Sequence, residues 1–124
     1  MSKLFMTSGA FLGFMAVILG SYSAHALRGK ITVDELNSFD TAVRYQMFHS
    51  LALIVTGLAA NHLSGSLINW SGFLFLFGII LFSGSIVLMR LTGIQSFGMI
   101  TPFGGVCFIL GWLLLAITFF KQPS

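Results

Sequence analysis

"SYSAHALRGK", residues 21–30, closes the first long apolar run of the chain. Its reading decides how many helices the fold contains. Ala24-His25-Ala26 is a small-x-small pattern of the kind a signal peptidase cuts. A removable signal has an apolar core of about 7–15 residues. The run before Ala24 begins near residue 4, is longer than that, and carries glycines at helical spacing. The stretch is therefore expected to end a retained first span. Tyr22 then sits at the interface, His25 turns toward a second histidine, and Arg28 and Lys30 lie in an aqueous collar.

Composition supports a lipid-embedded chain. Of 124 residues, 56% are hydrophobic and 7% are charged, against about 25% charged in a soluble domain. Six basic and three acidic side chains give a formal charge of +3. They form no basic stripe, which excludes a nucleic-acid binder. The lone Cys107 can form neither an internal disulfide nor a cysteine-rich metal site. It reads as a small apolar side chain.

Working outward, four apolar segments appear at about 4–27, 41–61, 70–89 and 102–120. Each approaches the ~20 residues that a helix needs to cross the hydrocarbon core. Backbone groups in lipid must be satisfied within the segment, so these are helices. The alternation of a membrane barrel strand is missing. "HLSGSLIN" (62–69) and "RLTGIQSFGMI" (90–100) are short links, and short links make antiparallel neighbours. Thr101 is expected to cap the last helix, with Pro102 at its first position. The expected fold is all-α: a single-domain integral membrane four-helix bundle with up-down topology.

The first link holds most of the charge. In "TVDELNSFDTAVRYQ" (32–46), Thr32-x-x-Glu35 reads as a capping box that starts a helix at Val33. Leu36, Phe39, Val43 and Met47 fall on one face. Asp40 precedes Arg44 by one turn, the better orientation for an ion pair. The segment at about 33–41 reads as an amphipathic interfacial lead-in to the second span, its charges a solvated collar.

Small residues mark the packing faces. Gly9 and Gly13 form a GxxxG continued by Gly20. Gly57 in the second span, Gly78 and Gly84 in the third, and Gly104, Gly105 and Gly111 in the fourth suit the same close approach of backbones. The expected use of the GxxxG is internal packing, with a homodimer as the alternative. Arg28, Lys30, Arg44 and Arg90 fall on one side and Lys3 and Lys121 on the other. The positive-inside rule then places both termini outside, in a bacterial cytoplasmic membrane.

Polar residues inside lipid are costly and point into the bundle. His25, Gln46 and His49, with Arg44, Tyr45 and Ser50 nearby, are expected to form one polar cluster. The leading interpretation is a hydrogen-bond network that fastens two helices. A haem held between His25 and His49 and a proton or solute path are the alternatives. A metal is disfavoured, since two histidines without a buried carboxylate or thiolate leave it under-ligated. All three acids, Asp34, Glu35 and Asp40, sit in the collar, unlike a coupled transporter. No serine–histidine–acid set can be assembled, and no glycine loop is arranged to cradle a phosphate. Trp70 suits the interfacial belt. Trp112 lies near mid-span, where its N–H needs a partner. His62 reads as solvated.

The motifs taken together resemble a known family. They are Ala24-His25-Ala26-Leu27; Phe39-x-x-Ala42-x-x-Tyr45-Gln46-x-x-His49-x-Leu51-Ala52-Leu53; Phe82-Ser83-Gly84-Ser85; and Thr101-Pro102-x-Gly104-Gly105 running into Gly111-Trp112. Over nearly its whole length the chain is similar to the YgdD/YwdK-like family of small membrane proteins of unknown function (domain of unknown function 423). It departs from the family's usual Gly-Ala-His-Gly-Leu at Ser23-Ala24-His25-Ala26-Leu27. The resemblance implies four spans and supplies no activity. The expected function is a non-enzymatic accessory or partner-binding subunit, without cofactor, whose partners are the bilayer and another membrane protein or a second copy. The alternatives are a solute, ion or proton path through His25, Gln46 and His49, or a haem- or quinone-binding module.

Overall fold

The capping box at Thr32 starts the helix on which the others are arranged. In the computed structural model, which describes residues 1–123, the Thr32 hydroxyl accepts from the Glu35 N–H and the Glu35 carboxylate accepts from the Thr32 N–H, each at 3.1 Å. Helix α2 then runs unbroken from Val33 to Ala60, roughly 42 Å at 1.5 Å per residue. The segment expected to be an interfacial lead-in joining the second span forms the first turns of one long rod. Phe39 and Ala42 are buried, and Leu36, Val43 and Met47 are half-buried, as the expected face requires.

Helix α1, Ser2–Tyr22, continues into a wider π-helical turn at Ser23–Leu27. Helix α3, Ser66–Gly78, passes through a second π-turn, Ile79–Gly84, into α4, Ser85–Thr92. Gly93 ends that rod with φ +77°, the left-handed cap that glycine adopts without steric cost. A short 3₁₀ segment, Gln95–Met99, leads to α5, Thr101–Phe120. No strand occurs among the described residues.

Neighbours in sequence run antiparallel. Ser2 Oγ donates to Gly57 O at 2.7 Å at one end of the α1–α2 pair, and Ser23 Oγ donates to Asp40 at the other. Ser71 Oγ donates to Gly111 O at 2.9 Å, and Ser85 bonds Thr101, which fixes α5 against the α3–α4 rod. Helix α1 packs along α2, while α5 packs on α3 and the second π-turn. The core between them holds Phe5, Leu53, Ile68, Phe75, Ile79, Phe108 and Leu115. This is an all-helical bundle with up-down order.

Three of the rods, Ser2–Leu27, Ser66–Thr92 and Gln95–Phe120, are long and apolar enough to cross a membrane. Helix α2 falls outside that set although a span was expected at 41–61. Its middle carries Gln46, His49, Ser50 and Thr56, all buried. These side chains face protein, so α2 is more polar than a lipid-facing helix.

The α1 GxxxG is used within the chain. A Cβ on Gly9 would lie 2.8 Å from Ser50 O, and Gly13 faces Ser50 Cβ at 3.8 Å. Gly20 would meet Val43 at 3.4 Å, Gly57 the backbone of Met6 at 3.0 Å, Gly78 the Phe108 ring at 2.6 Å and Gly111 the Phe75 ring at 2.9 Å. Gly104 is the tightest against backbone, 2.3 Å from the nitrogen of Phe82. Gly84 and Gly105 depart from the expectation: the nearest atom to a Cβ at either is 4.0 Å away. At Gly84 that atom is Ile79 O of its own π-turn, and at Gly105 it belongs to the Phe82 ring.

Two local expectations are corrected. Thr101 is the first residue of α5 and does not cap it; Ile100 occupies the cap, and the Thr101 hydroxyl is engaged by Ser85. Asp40 takes the Ser23 hydroxyl in place of Arg44, because Asp40 faces the end of α1 while Arg44 points outward, exposed. The ion pair that does form joins Arg90 to Glu35 at 3.6 Å.

Adjacent glycines give a direct check on the packing. Gly104→Ala is expected to destabilise the folded protein in detergent by about 1–3 kcal/mol, the cost of overpacking. Gly105→Ala should stay within about 0.5 kcal/mol of wild type. Equal losses in reversible denaturant unfolding would refute the packing described for α5.

Candidate functional site

Helical spacing sorts the polar residues of α2 onto two faces. Gln46 and Ser50 lie toward α1: Gln46 Nε2 donates to Leu12 O at 2.8 Å, and Ser50 Oγ donates back to Gln46 O at 2.6 Å. Tyr45 and His49 lie on a neighbouring stripe toward α5. Ser83, in the second π-turn, donates to Ala42 O at 2.8 Å and ties that turn to α2.

His49 is 6% exposed. Its Nδ1 lies 2.7 Å from Tyr45 O. A carbonyl only accepts, so Nδ1 carries the proton. Trp112 Nε1, which only donates, lies 3.0 Å from Nε2. Nε2 is therefore bare, and the two bonds together specify one neutral tautomer. The ring stacks on Phe108 with centroids 3.6 Å apart and planes 13° apart. Tyr45 stacks on Phe82 at 4.9 Å, and Trp112 meets Phe75 edge-on at 5.0 Å. These rings bridge α2 to α5, helices whose backbones stand apart.

The gap between those helices is a cleft of about 690 Å³, open at its side. Tyr45, Phe48 and His49 form the α2 wall, Phe82 the back, and Gly105, Phe108, Ile109 and Trp112 the α5 wall. A second, smaller groove of about 470 Å³ lies beside Gln46, Gly84 and Ser85, lined otherwise by aliphatic side chains and Phe97.

The single cluster expected from the sequence does not form. His25 is exposed on the π-turn that ends α1. Ser23 stands level with Asp40, and Asp40 is nine residues before His49, about 14 Å along the helix. His49 also faces α5, away from α1. Arg44 is exposed, Tyr45 half-exposed at the cleft, and Gln46 and Ser50 are buried against α1. The geometry thus offers no pair of facing histidines for a haem. Among the described residues no three histidine, cysteine or carboxylate side chains gather to hold a metal ion. His62 is exposed at the far end of α2.

The partners of His49 were only partly visible in the sequence. Trp112 signalled itself, since a mid-span indole N–H needs an acceptor. Phe75, Phe82 and Phe108 did not, because fourteen phenylalanines look alike until the helices are placed.

At the rim, Glu35 is held below the ordinary carboxylate value of 4.5, first by the Thr32 backbone N–H, then by the Thr32 hydroxyl and Arg90. A depressed value stabilises the fold above pH 4.5, and that contribution is lost as pH falls through the folded-state value. Wild type should therefore unfold at a higher temperature than Glu35→Gln at neutral pH, and the gap should close below pH 4.5. A gap independent of pH would contradict the capping box as a charged contact. For the His49–Trp112 bond, a double-mutant cycle with His49→Phe and Trp112→Phe should give a coupling energy of about 0.6–1.7 kcal/mol, the range of hydrogen bonds between membrane helices. Strict additivity would remove the bond from the account.

Comparison with known proteins places the chain. Residues 19–105 match the family described as "Protein of unknown function (DUF423)". A UPF0382 membrane protein of Staphylococcus aureus (strain bovine RF122 / ET3-1) is 46% identical over 119 residues, 96% of this chain and 97% of its own. A UPF0382 membrane protein of Staphylococcus haemolyticus (strain JCSC1435) is 43% identical over the same shares, and one of Staphylococcus saprophyticus is 44% identical over 96% of this chain and 98% of its own. No solved structure matches the chain. With its apolar helices and these relatives along nearly its whole length, the chain is an integral membrane protein and belongs to the DUF423 family.

Proposed function

We propose that this chain is a non-enzymatic accessory protein of the bacterial cytoplasmic membrane. It crosses the bilayer four times and acts by binding a membrane-protein partner. The observation that carries this reading is the closure of the central helix. Gln46, His49, Ser50 and Thr56 all spend their hydrogen bonds inside the chain. Ser71 and Ser83 do the same on α3 and its π-turn. Polar groups so engaged fasten helices, which leaves binding as the work of the molecule.

Register supports the fourth span. The start of α1 meets Gly57 and its end meets Asp40, seventeen residues apart on α2, or about 26 Å. A helix alongside α1 over that length crosses wherever α1 crosses. Arg28, Lys30, Arg44 and Arg90 gather at one end of the bundle, and Lys3 and Lys121 at the other. The positive-inside rule turns the first end to the cytoplasm and both termini outward. A conduction path through His25, Gln46 and His49 lacks support, since the three face different surroundings.

Affinity purification from native membranes in mild detergent tests the role. The expected outcome is one partner, or a second copy, recovered at constant stoichiometry; elution of the chain alone in repeated preparations would overturn it. Single cysteines in a Cys107→Ala background test the topology. Cysteine at His62 or Lys121 should label from outside intact cells and cysteine at Lys30 only after permeabilisation. Labelling of positions 30 and 62 from the same side would remove the second span.

A further inference from the structure

We propose that the cleft between α2 and α5 is a binding site for a flat, uncharged, lipid-soluble ring compound of quinonoid or aromatic type, received sideways from the bilayer. A volume of about 690 Å³ falls among those of small-molecule sites, roughly 300–1,000 Å³. Three independent features distinguish it from an ordinary lipid-facing groove.

The first is its lining. Tyr45, His49, Phe82, Phe108 and Trp112 present ring faces and edges held in fixed mutual orientation by stacking and by the His49–Trp112 bond. Flat rings pack on such walls by offset or edge-on contact. The smaller groove beside Gly84 is lined mainly by leucine, isoleucine and valine, a surface suited to acyl chains. Among the described residues no charged side chain lines the aromatic cleft, so it selects for neutral molecules, a charge in lipid being costly.

The second is Gly105. Gly104, one residue earlier, is required by the backbone of Phe82 at 2.3 Å. Gly105 meets nothing nearer than 4.0 Å, and what it meets is the Phe82 ring at the back of the cleft. Packing within the chain does not require a glycine there. Its effect is to keep the α5 wall open.

The third is the second π-turn. It carries Phe82 into the cleft while Ser83 turns to Ala42. Single π-turns within helices concentrate at functional sites. Tyr45 lines the same cleft, and its hydroxyl makes no hydrogen bond among the described residues. It is free to donate to a ring oxygen.

The site stands independently of the accessory role, since purified protein suffices for its test. In nanodiscs, Trp70→Phe leaves Trp112 as the only indole, and menadione serves as the probe. Trp112 fluorescence should be quenched saturably. Gly105→Leu should raise the half-saturating concentration at least about tenfold, and Tyr45→Phe about fivefold, a loss of the size expected for one hydrogen bond. Gly105→Ala, which meets ordinary van der Waals distances, guards against misfolding and should give a smaller shift with an unchanged circular dichroism spectrum. Trp112→Phe, with Trp70 as reporter, should show only linear quenching. Linear quenching of Trp112, or saturable quenching indifferent to Gly105, would overturn the site. So would quenching of Trp112 by brominated acyl chains that saturating menadione fails to relieve, which would assign the cleft to lipid.

Discussion

The bond from the Trp112 indole to His49 Nε2, with Tyr45 O satisfying Nδ1, shows the constraint under which the bundle is built. In hydrocarbon a polar group finds no water, so its partner must come from the protein. Helix α2 carries more such groups than its neighbours and turns them inward, while Phe48, Leu51, Val55 and Leu58 on its other side are exposed. Gln46 and Ser50 use α1 and the helix's own carbonyls, and His49 uses α5. Helices α1 and α5 carry few polar side chains and take the flanks, where Phe11, Phe14 and Leu113 are exposed.

The other half of the stabilisation is close approach. Lipid tails are as apolar as leucine, so dispersion and hydrogen bonds hold helices together. Gly9 and Gly57 bring α1 onto α2, and Gly78, Gly104 and Gly111 bring α5 onto the α3–α4 rod. No glycine pair joins α2 to α5. Rings fill that space only in part, and the cleft is the consequence. Openness there reflects how glycines are distributed: two tight pairs of helices meet along α2 and α3 and leave one side ajar.

Much of this was legible in the sequence. Apolar runs of about twenty residues, short links and the Thr32–Glu35 box specify helices, their order and the start of α2, because each depends on local chemistry. Polar residues within the second run announced an interior face. What stayed hidden depended on rotation and register. His25 and His49 seemed paired because both lie toward the same membrane side, yet about 14 Å of helix and a different facing direction separate them. Asp40 chose Ser23 over Arg44 because tertiary contact outcompeted the one-turn spacing. The two π-turns have no sequence mark, and each shifts the side chains after it. Gly104 and Gly105 look identical in sequence and differ only in what stands opposite.

His49 is buried and bonded on both nitrogens. Solid-state nitrogen NMR of imidazole-labelled protein in lipid, with His25 and His62 replaced by Gln, reads this directly. A neutral ring protonated at Nδ1, with Nε2 accepting from an indole N–H and slow exchange with bulk water, is the result the account predicts. An Nε2-protonated ring, or an imidazolium in rapid exchange with water, would contradict it.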